Sequence, residues 1–399
     1  MTNETSDSGR NGGAADSRAD ALDPLSARIG VASYLRLLRK NRNFRLLWSA
    51  QIVSELGDWF YTLAVYSLLL DLTGKASSVA VALVVQLLPT ALITATSGVV
   101  SDHLRRKVVM IAADLARVAI VLSMLAARSP EMVWIIYPLL FLEAIMVAFF
   151  EPARTSVIPN ICPAEDILVA NTLSSTTWSL NLALGASLGG VVAVLLGRDA
   201  VFMINGASFA ISAWLISGMK FHEPHAEARS PLRARDLVDF SPVLQGIRYV
   251  RSDARRVAML LVKAGLGTTG SGWVLFTVMG KRYFPVHLHG LSPERSAILA
   301  MSVLLAARGV GALIGPLLSA TWAGRSEWRL RMGILCGFLA AATGYTLLGF
   351  AKTLLLACAS TILAHMGSAV AWVFSTTPCS SIRKTASAAA CSQPNWGSP

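Results

Sequence analysis

A chain of 399 residues with 54% hydrophobic and 15% charged residues and a mean hydropathy of +0.56 is too apolar for a pair of soluble domains. Apolar runs of about 20 residues recur along it, the length a helix needs to cross roughly 30 Å of hydrocarbon. The formal charge of +12 does not mark a nucleic-acid binder, because the cations gather in the connections between those runs.

Residues 1–33 are rich in Gly, Ala, Ser and Asp without periodicity and predict a disordered cytoplasmic tail. The predicted spans are 46–71, 77–100, 107–127, 132–151, 169–196 and 200–218, a six-helix bundle within 34–219. Residues 220–256, with Pro224, Pro231, Pro242 and a run of cations, read as a cytoplasmic central loop. Four further spans follow at 257–280, 296–322, 331–350 and 353–375. The text turns Ser-, Ala-, Cys- and Pro-rich after Thr377. Residues 376–399 are therefore expected to form an aberrant or disordered tail, and 257–375 an incomplete bundle, as after a truncation or frameshift.

Backbone groups in hydrocarbon must bond within their own helix, so the fold class is an all-α polytopic membrane protein of six plus about four helices. Counted on alternating sides, most Lys and Arg outside the spans lie with the N-terminus. Lys75, Arg128, Arg198, Lys281, Arg282, Arg295 and Lys352 fall on the other side. This bias puts the N-terminus in the cytoplasm and the chain in the cytoplasmic membrane as a multi-pass protein. Two helix groups joined by a basic loop are the layout of a transporter built from repeats.

The first span carries the sharpest pattern. Gln51, Ser54, Glu55, Asp58 and Thr62 fall on one helical face. Two carboxylates at mid-bilayer cost several kcal/mol in total (about 2.5–3.5 kcal/mol for an Asp on the insertion scale), so the stripe must look into protein or water. Two readings are open: a substrate or proton site with Glu55 and Asp58 titrating, or a structural polar contact with a neighbouring helix. Isolated charges elsewhere are Arg117, Glu143, Lys263 and Arg308. Glu143 is the best of these for a proton or substrate role, and Arg117 and Arg308 have Glu143 or Asp58 as candidate partners. His365 reads as a packed core histidine or a proton relay.

Between the second and third spans, Gly98, Asp102, Arg106 and Lys107 sit in a connection too short to leave the membrane surface. A solvated turn is the plain alternative to a charge lock at the helix ends. In the fifth span Gly185, Gly189 and Gly190 allow close helix approach. The cysteines are isolated and lack metal-ligand spacing, and no phosphate-cradling Gly-Lys-Ser/Thr loop occurs, so neither a cofactor nor enzyme chemistry is implied.

With these residues in place the chain resembles the major facilitator superfamily over roughly residues 40–375. Gly98, Asp102, Arg106 and Lys107 resemble its motif A, with His103 and Arg105 departing from the pattern. Gly185 to Gly190 resembles motif C, with Ala186 in place of proline. Asn43–Trp48, Phe150–Arg154 and Ile158-Pro159 look like the branch of macrolide-efflux-type proteins and the enterobactin exporter. The resemblance implies a two-bundle fold and proton-coupled efflux of a drug-like or siderophore-like molecule by a monomer. It also implies that Asp102 forms a conformational lock, with Arg154 at the right depth to be one partner. Glu55, Asp58, Gln51 and Glu143 are the candidates for coupling or substrate contact. The implied partners are a small molecule, protons and the lipid bilayer. An importer of the same fold and a non-transporting fragment are the alternatives.

Overall fold

The computed structural model describes residues 31–223, 241–267, 270, 272–284, 286, 292–323 and 327–391. The expected tail over 1–33 falls almost wholly outside them. A short basic helix, α1 (Val31–Lys40), leads into α2 (Arg42–Thr73), α3 (Ala76–His103), α4 (Arg106–Ser123), α5 (Val133–Ile161), α6 (Ile167–Leu196) and α7 (Arg198–Ser217). After the undescribed residues 224–240 come α8 (Ser241–Arg251), α9 (Ala254–Gly267), α10 (Gly272–Arg282), α11 (Pro293–Ala323), α12 (Glu327–Gly349) and α13 (Leu354–Cys391).

Local chemistry explains several boundaries. Asn41 caps α2 by accepting the Phe44 N–H at 2.9 Å, and its own amide donates to the Ile161 carbonyl at 2.6 Å, tying α2 to the end of α5. Gly74 ends α2 at φ +65°, a conformation that costs a residue with a Cβ. The stretch expected as one span over 257–280 is instead divided into α9 and α10. Gly265, Gly267, Gly270 and Gly272 crowd the break, and each weakens a helix relative to alanine. Within the expected central loop 220–256 lies a helix, α8, while α13 continues past residue 375 to Cys391. The side chains beyond Ser375 lie outside the described residues.

Among the described residues six stretches are long and apolar enough to cross a membrane: Arg106–Ala126, Pro130–Ile161, Arg198–Ser217, Arg295–Ser319, Trp328–Gly349 and Leu354–Ser375. That is fewer than the ten expected. The carboxylates in the middle of α2 dilute its apolar run, and the α9/α10 break shortens both pieces. At 32, 28 and 30 residues, α2, α3 and α6 are nevertheless long enough for roughly 30 Å at 1.5 Å per residue.

Helix α2 runs through the middle of the first group, packed along α6 and α7, while α3 packs on α5, and α4 on both α5 and α7. In the second group α13 lies against both α11 and α12. The groups meet where α6 runs along α11 and where α10 touches α2 and α3. Near the end of α2 that leads into Gly74, one apolar core spans both groups and includes Tyr66, Leu69, Phe202, Phe276 and Met301. Toward the start of α2 the cores are separate. Phe44, Leu47, Met110, Val157 and Ile216 serve the first group alone, and Leu330, Val370 and Phe374 the second. The two groups are thus joined by apolar packing at one face and hold their own cores at the other.

Candidate functional site

The polar stripe of α2 is divided between two sets of partners. Gln51, 3% exposed, donates from Nε2 to Glu55 Oε1 at 2.8 Å and to the Ser174 carbonyl of α6 at 3.0 Å. Glu55 Oε2 accepts from Asn181 Nδ2 of α6 at 3.0 Å. Glu55 is therefore held by two amides rather than by a cation. One turn below, Thr62 donates to the Asp58 carbonyl at 2.8 Å, and both carboxylate oxygens of Asp58 lie 2.8 Å from Arg117 Nη2 of α4.

Arg117 is the hub of a larger cluster. It is 3% exposed, and its Nε and Nη2 donate to Glu143 Oε1 of α5 at 3.1 and 3.0 Å. Its Nη1 lies 3.7 Å from Asp114 Oδ1, one turn earlier on α4, and its guanidinium sits 3.8 Å from the ring centre of Phe209 on α7. Three carboxylates therefore surround one guanidinium, drawn from α2, α4 and α5, with an aromatic face from α7 closing the site. Asp114 is fully buried and went unnamed in the sequence reading. Its signal was present: an ionisable residue three positions before Arg117 in an apolar span must share its helix face.

The connection read as a charge lock has its cations on backbone carbonyls. Arg106 Nη1 donates to Ser156 O at 2.7 Å, and Nε to Ser101 O at 3.2 Å. Lys107 Nζ donates to Ser217 O and Met219 O, both at 2.7 Å, and its N–H to Glu223 at 3.2 Å. Lys107, placed on the last carbonyl of α7, complements the negative end of that helix. The side chain of Asp102 lies outside the described residues. Arg154, its expected partner, bonds Glu151 one turn earlier on α5, at 2.7 and 3.3 Å. Among the described residues nothing stands within 4 Å of where a Cβ on Gly98 would be.

The glycines of α6 sit at crowded crossings. A Cβ on Gly189 would lie 2.7 Å from Phe60 Cα, and one on Gly185 2.5 Å from Trp59 Cβ, both on α2. Gly190 faces the other group, against Ser302 of α11. In the second group Arg308 pairs with no carboxylate among the described residues, contrary to expectation, since Arg117 takes both Asp58 and Glu143. It lies 4.5 Å over the Trp273 ring instead. Lys263 stands 4.8 Å over Trp372, and His365 Nε2 is 3.1 Å from the Tyr345 hydroxyl.

A clasp that the sequence reading did not foresee joins the groups where α2 ends. Asp71 bonds Lys281 of α10 and accepts from Arg198 at 2.9 Å, and Arg282 donates to the Gly74 carbonyl. Deeper in, Trp59 stacks on Trp273 at 5.5 Å and 12°. No local pattern around Asp71 pointed to a cation 210 positions later.

Residues 33–397 match the family described as transmembrane secretion effector. The chain is similar to the MFS-type transporter YkuC of Bacillus subtilis (strain 168), 25% identical over 317 residues that cover 77% of this chain and 71% of that one. It is also similar to macrolide efflux protein A of Streptococcus pyogenes, 24% identical over 233 residues, and there spans about half of the relative's length (56% of each chain). Among solved structures, a bacterial homolog of the human lysosomal transporter Spinster, inward-facing and unoccupied, superposes with a TM-score of 0.59 at 16% identity. It covers 85% of this chain and 75% of that one. The nucleoside transporter NupG gives 0.57 at 14% identity, over 84% and 80%. These likenesses establish the two-group transporter fold. With the helices, the paired halves and the family match together, the chain belongs to the transmembrane secretion effector family of major facilitator superfamily membrane transporters.

Proposed function

We propose that this transporter is a proton-coupled exporter of a small organic molecule, set in the cytoplasmic membrane with ten crossings and a cytoplasmic N-terminus. The observation that carries the reading is the surplus of carboxylates around Arg117. One guanidinium cannot balance Asp58, Asp114 and Glu143 in an apolar interior, and a proton is the counter-ion a bilayer protein can exchange there. Uptake of a proton by Asp58 or Glu143 weakens the hold of Arg117 on that residue's helix. Release restores it. The cluster thus gives α2 two positions relative to α4 and α5, which is what alternating access requires.

The clasp of Asp71 with Lys281 and the shared apolar core close the face opposite the N-terminus, leaving the N-terminal face the one at which the groups separate. Export as the direction is supported by the name of macrolide efflux protein A, which this chain resembles over part of its length. Gln51 and Asn181 position Glu55, whose carboxylate adds polarity to the same helix face.

Energised everted vesicles containing the full chain, screened against a panel of small organic dyes, test the reading. At least one dye should move in a proton-dependent manner, and Asp58→Asn should abolish that movement while the protein remains inserted at wild-type level. Unchanged movement in the variant would sink the proposal.

A further inference from the structure

A cavity of about 350 Å³ lies between the two groups. It falls within the range of small-molecule sites, roughly 300–1,000 Å³. Trp178 of α6 forms one wall, and Arg308, Pro316, His365, Ser368 and Trp372 contribute to the rest. Its lining contains no Asp or Glu among the described residues.

Arg308 sits at the middle of α11, where a charge is costly, and its Nη1 is buried without a hydrogen-bond partner among the described residues. A guanidinium does not discharge itself by losing a proton, so its charge persists and calls for an anion. The contrast with Arg117 is direct. Arg117 is met by three carboxylates, whereas Arg308, half-buried as a whole, is met by the face of Trp273 at 4.5 Å. A second cation, Lys263, stands behind the cavity wall at 4.8 Å over Trp372.

The walls are aromatic as well as cationic. Trp178 packs edge-on to Trp59 at 6.2 Å, Trp59 stacks on Trp273, and Trp273 carries Arg308. Indole faces favour flat rings, and a guanidinium fork favours a carboxylate that it can grip with two parallel hydrogen bonds.

We propose that this cavity binds the transported molecule and selects a flat aromatic compound carrying a carboxylate or a similar anion, with Arg308 supplying the specificity. This rests on the transporter reading above. It names the substrate class for that reading, and it separates the task of gripping cargo, in α11, from the charge cluster of the first group.

Binding of 1-naphthoate, 1-naphthylmethanol and 1-naphthylmethylamine to the full chain, in nanodiscs of zwitterionic phosphatidylcholine, provides the test by equilibrium dialysis. Naphthoate should bind about tenfold or more tighter than the alcohol, the effect of one hydrogen bond to a charged group, and the amine weakest. Arg308→Gln should erase the preference without loss of alcohol binding, Arg308→Lys should keep part of it, and Ala312→Trp should exclude all three by filling the cavity. An amine bound as tightly as naphthoate, or a preference surviving in Arg308→Gln, would overturn the proposal. If Arg308→Gln does not fold, the wild-type ligand order with Arg308→Lys and Ala312→Trp still decides. Naphthoate that binds as expected yet is not moved in proteoliposomes would count against transport alone and leave the anion site standing.

Discussion

Arg117 and Asp58 meet with both carboxylate oxygens 2.8 Å from one guanidinium nitrogen, although 59 positions separate them in the chain. Among the described residues Arg117 is the single cation in contact with Asp58, Asp114 and Glu143, so the group whose loss leaves most charge unbalanced is the arginine. Arg117→Ala should cost about 3–5 kcal/mol, as expected when one partner of a buried pair is removed. The combined Arg117→Gln and Asp58→Asn variant should recover part of that loss. Thermal unfolding in detergent, followed by the loss of the monodisperse chromatographic peak, measures both. Equal losses in the single and double variants would show that the two residues do not act on each other.

Two glycines from the sequence reading have opposite surroundings. Gly190 abuts Ser302 across the junction of the two groups, whereas no described residue stands where a Cβ on Gly98 would go. Gly190→Val should destabilise the protein by about 1–3 kcal/mol through overpacking. Gly98→Ala should be neutral or stabilising by about 0.5–1 kcal/mol, because alanine is the better helix former. The same thermal assay reads both. A destabilising Gly98→Ala would indicate that this position is occupied in another state of the transport cycle.

The Asp71–Lys281 clasp ties α2 to α10 across the two groups. Replacing both residues by cysteine and oxidising the pair should hold that face shut and stop transport, and reduction should restore it. Reversing the pair, with Asp71→Lys and Lys281→Asp, should retain more transport than either single change. Arg198, which also bonds Asp71, will keep the recovery incomplete. Transport that continues in the oxidised double cysteine variant would show that this face does not need to open.

Cys162 follows α5 at the membrane edge, where burial above all, and then Asp166, push its thiol up to about 11. Little thiolate exists at pH 7, so alkylation by iodoacetamide should be slow there and accelerate as pH rises toward 11. Asp166→Asn removes the smaller cause and should bring the rise to slightly lower pH. Rapid labelling at pH 7 would mean that the thiol is neither buried nor shifted in the membrane.

Much of the architecture was legible because hydrocarbon imposes a local rule. Each backbone group must bond within its own segment, so apolar length alone announces helices, and the spans read over 107–127, 132–151 and 200–218 lie on α4, α5 and α7. The break between α9 and α10 was written in four closely spaced glycines and passed over, since an apolar average hides a weak helix. Asp114 was hidden in the same way, one ionisable residue inside a run whose mean stays apolar.

The stripe on α2 shows where local reading stops. Periodicity put Gln51, Glu55 and Asp58 on one face, but it could not say that Glu55 meets amides of α2 and α6 while Asp58 meets a guanidinium. Arg154 and Arg106 illustrate the same limit, one bonded within its own helix and the other to carbonyls of a neighbour.

From sequence alone came the helical class and the places where charge must be compensated. Those follow from the energetics of a single segment in an apolar solvent, where length and period decide. Which charge answers which was decided only by tertiary packing. Arg117 could have served any carboxylate at its depth, and Asp71 meets a cation 210 positions away. Such pairings depend on helix order, rotation and crossing, none of which leaves a periodic trace in the residues themselves.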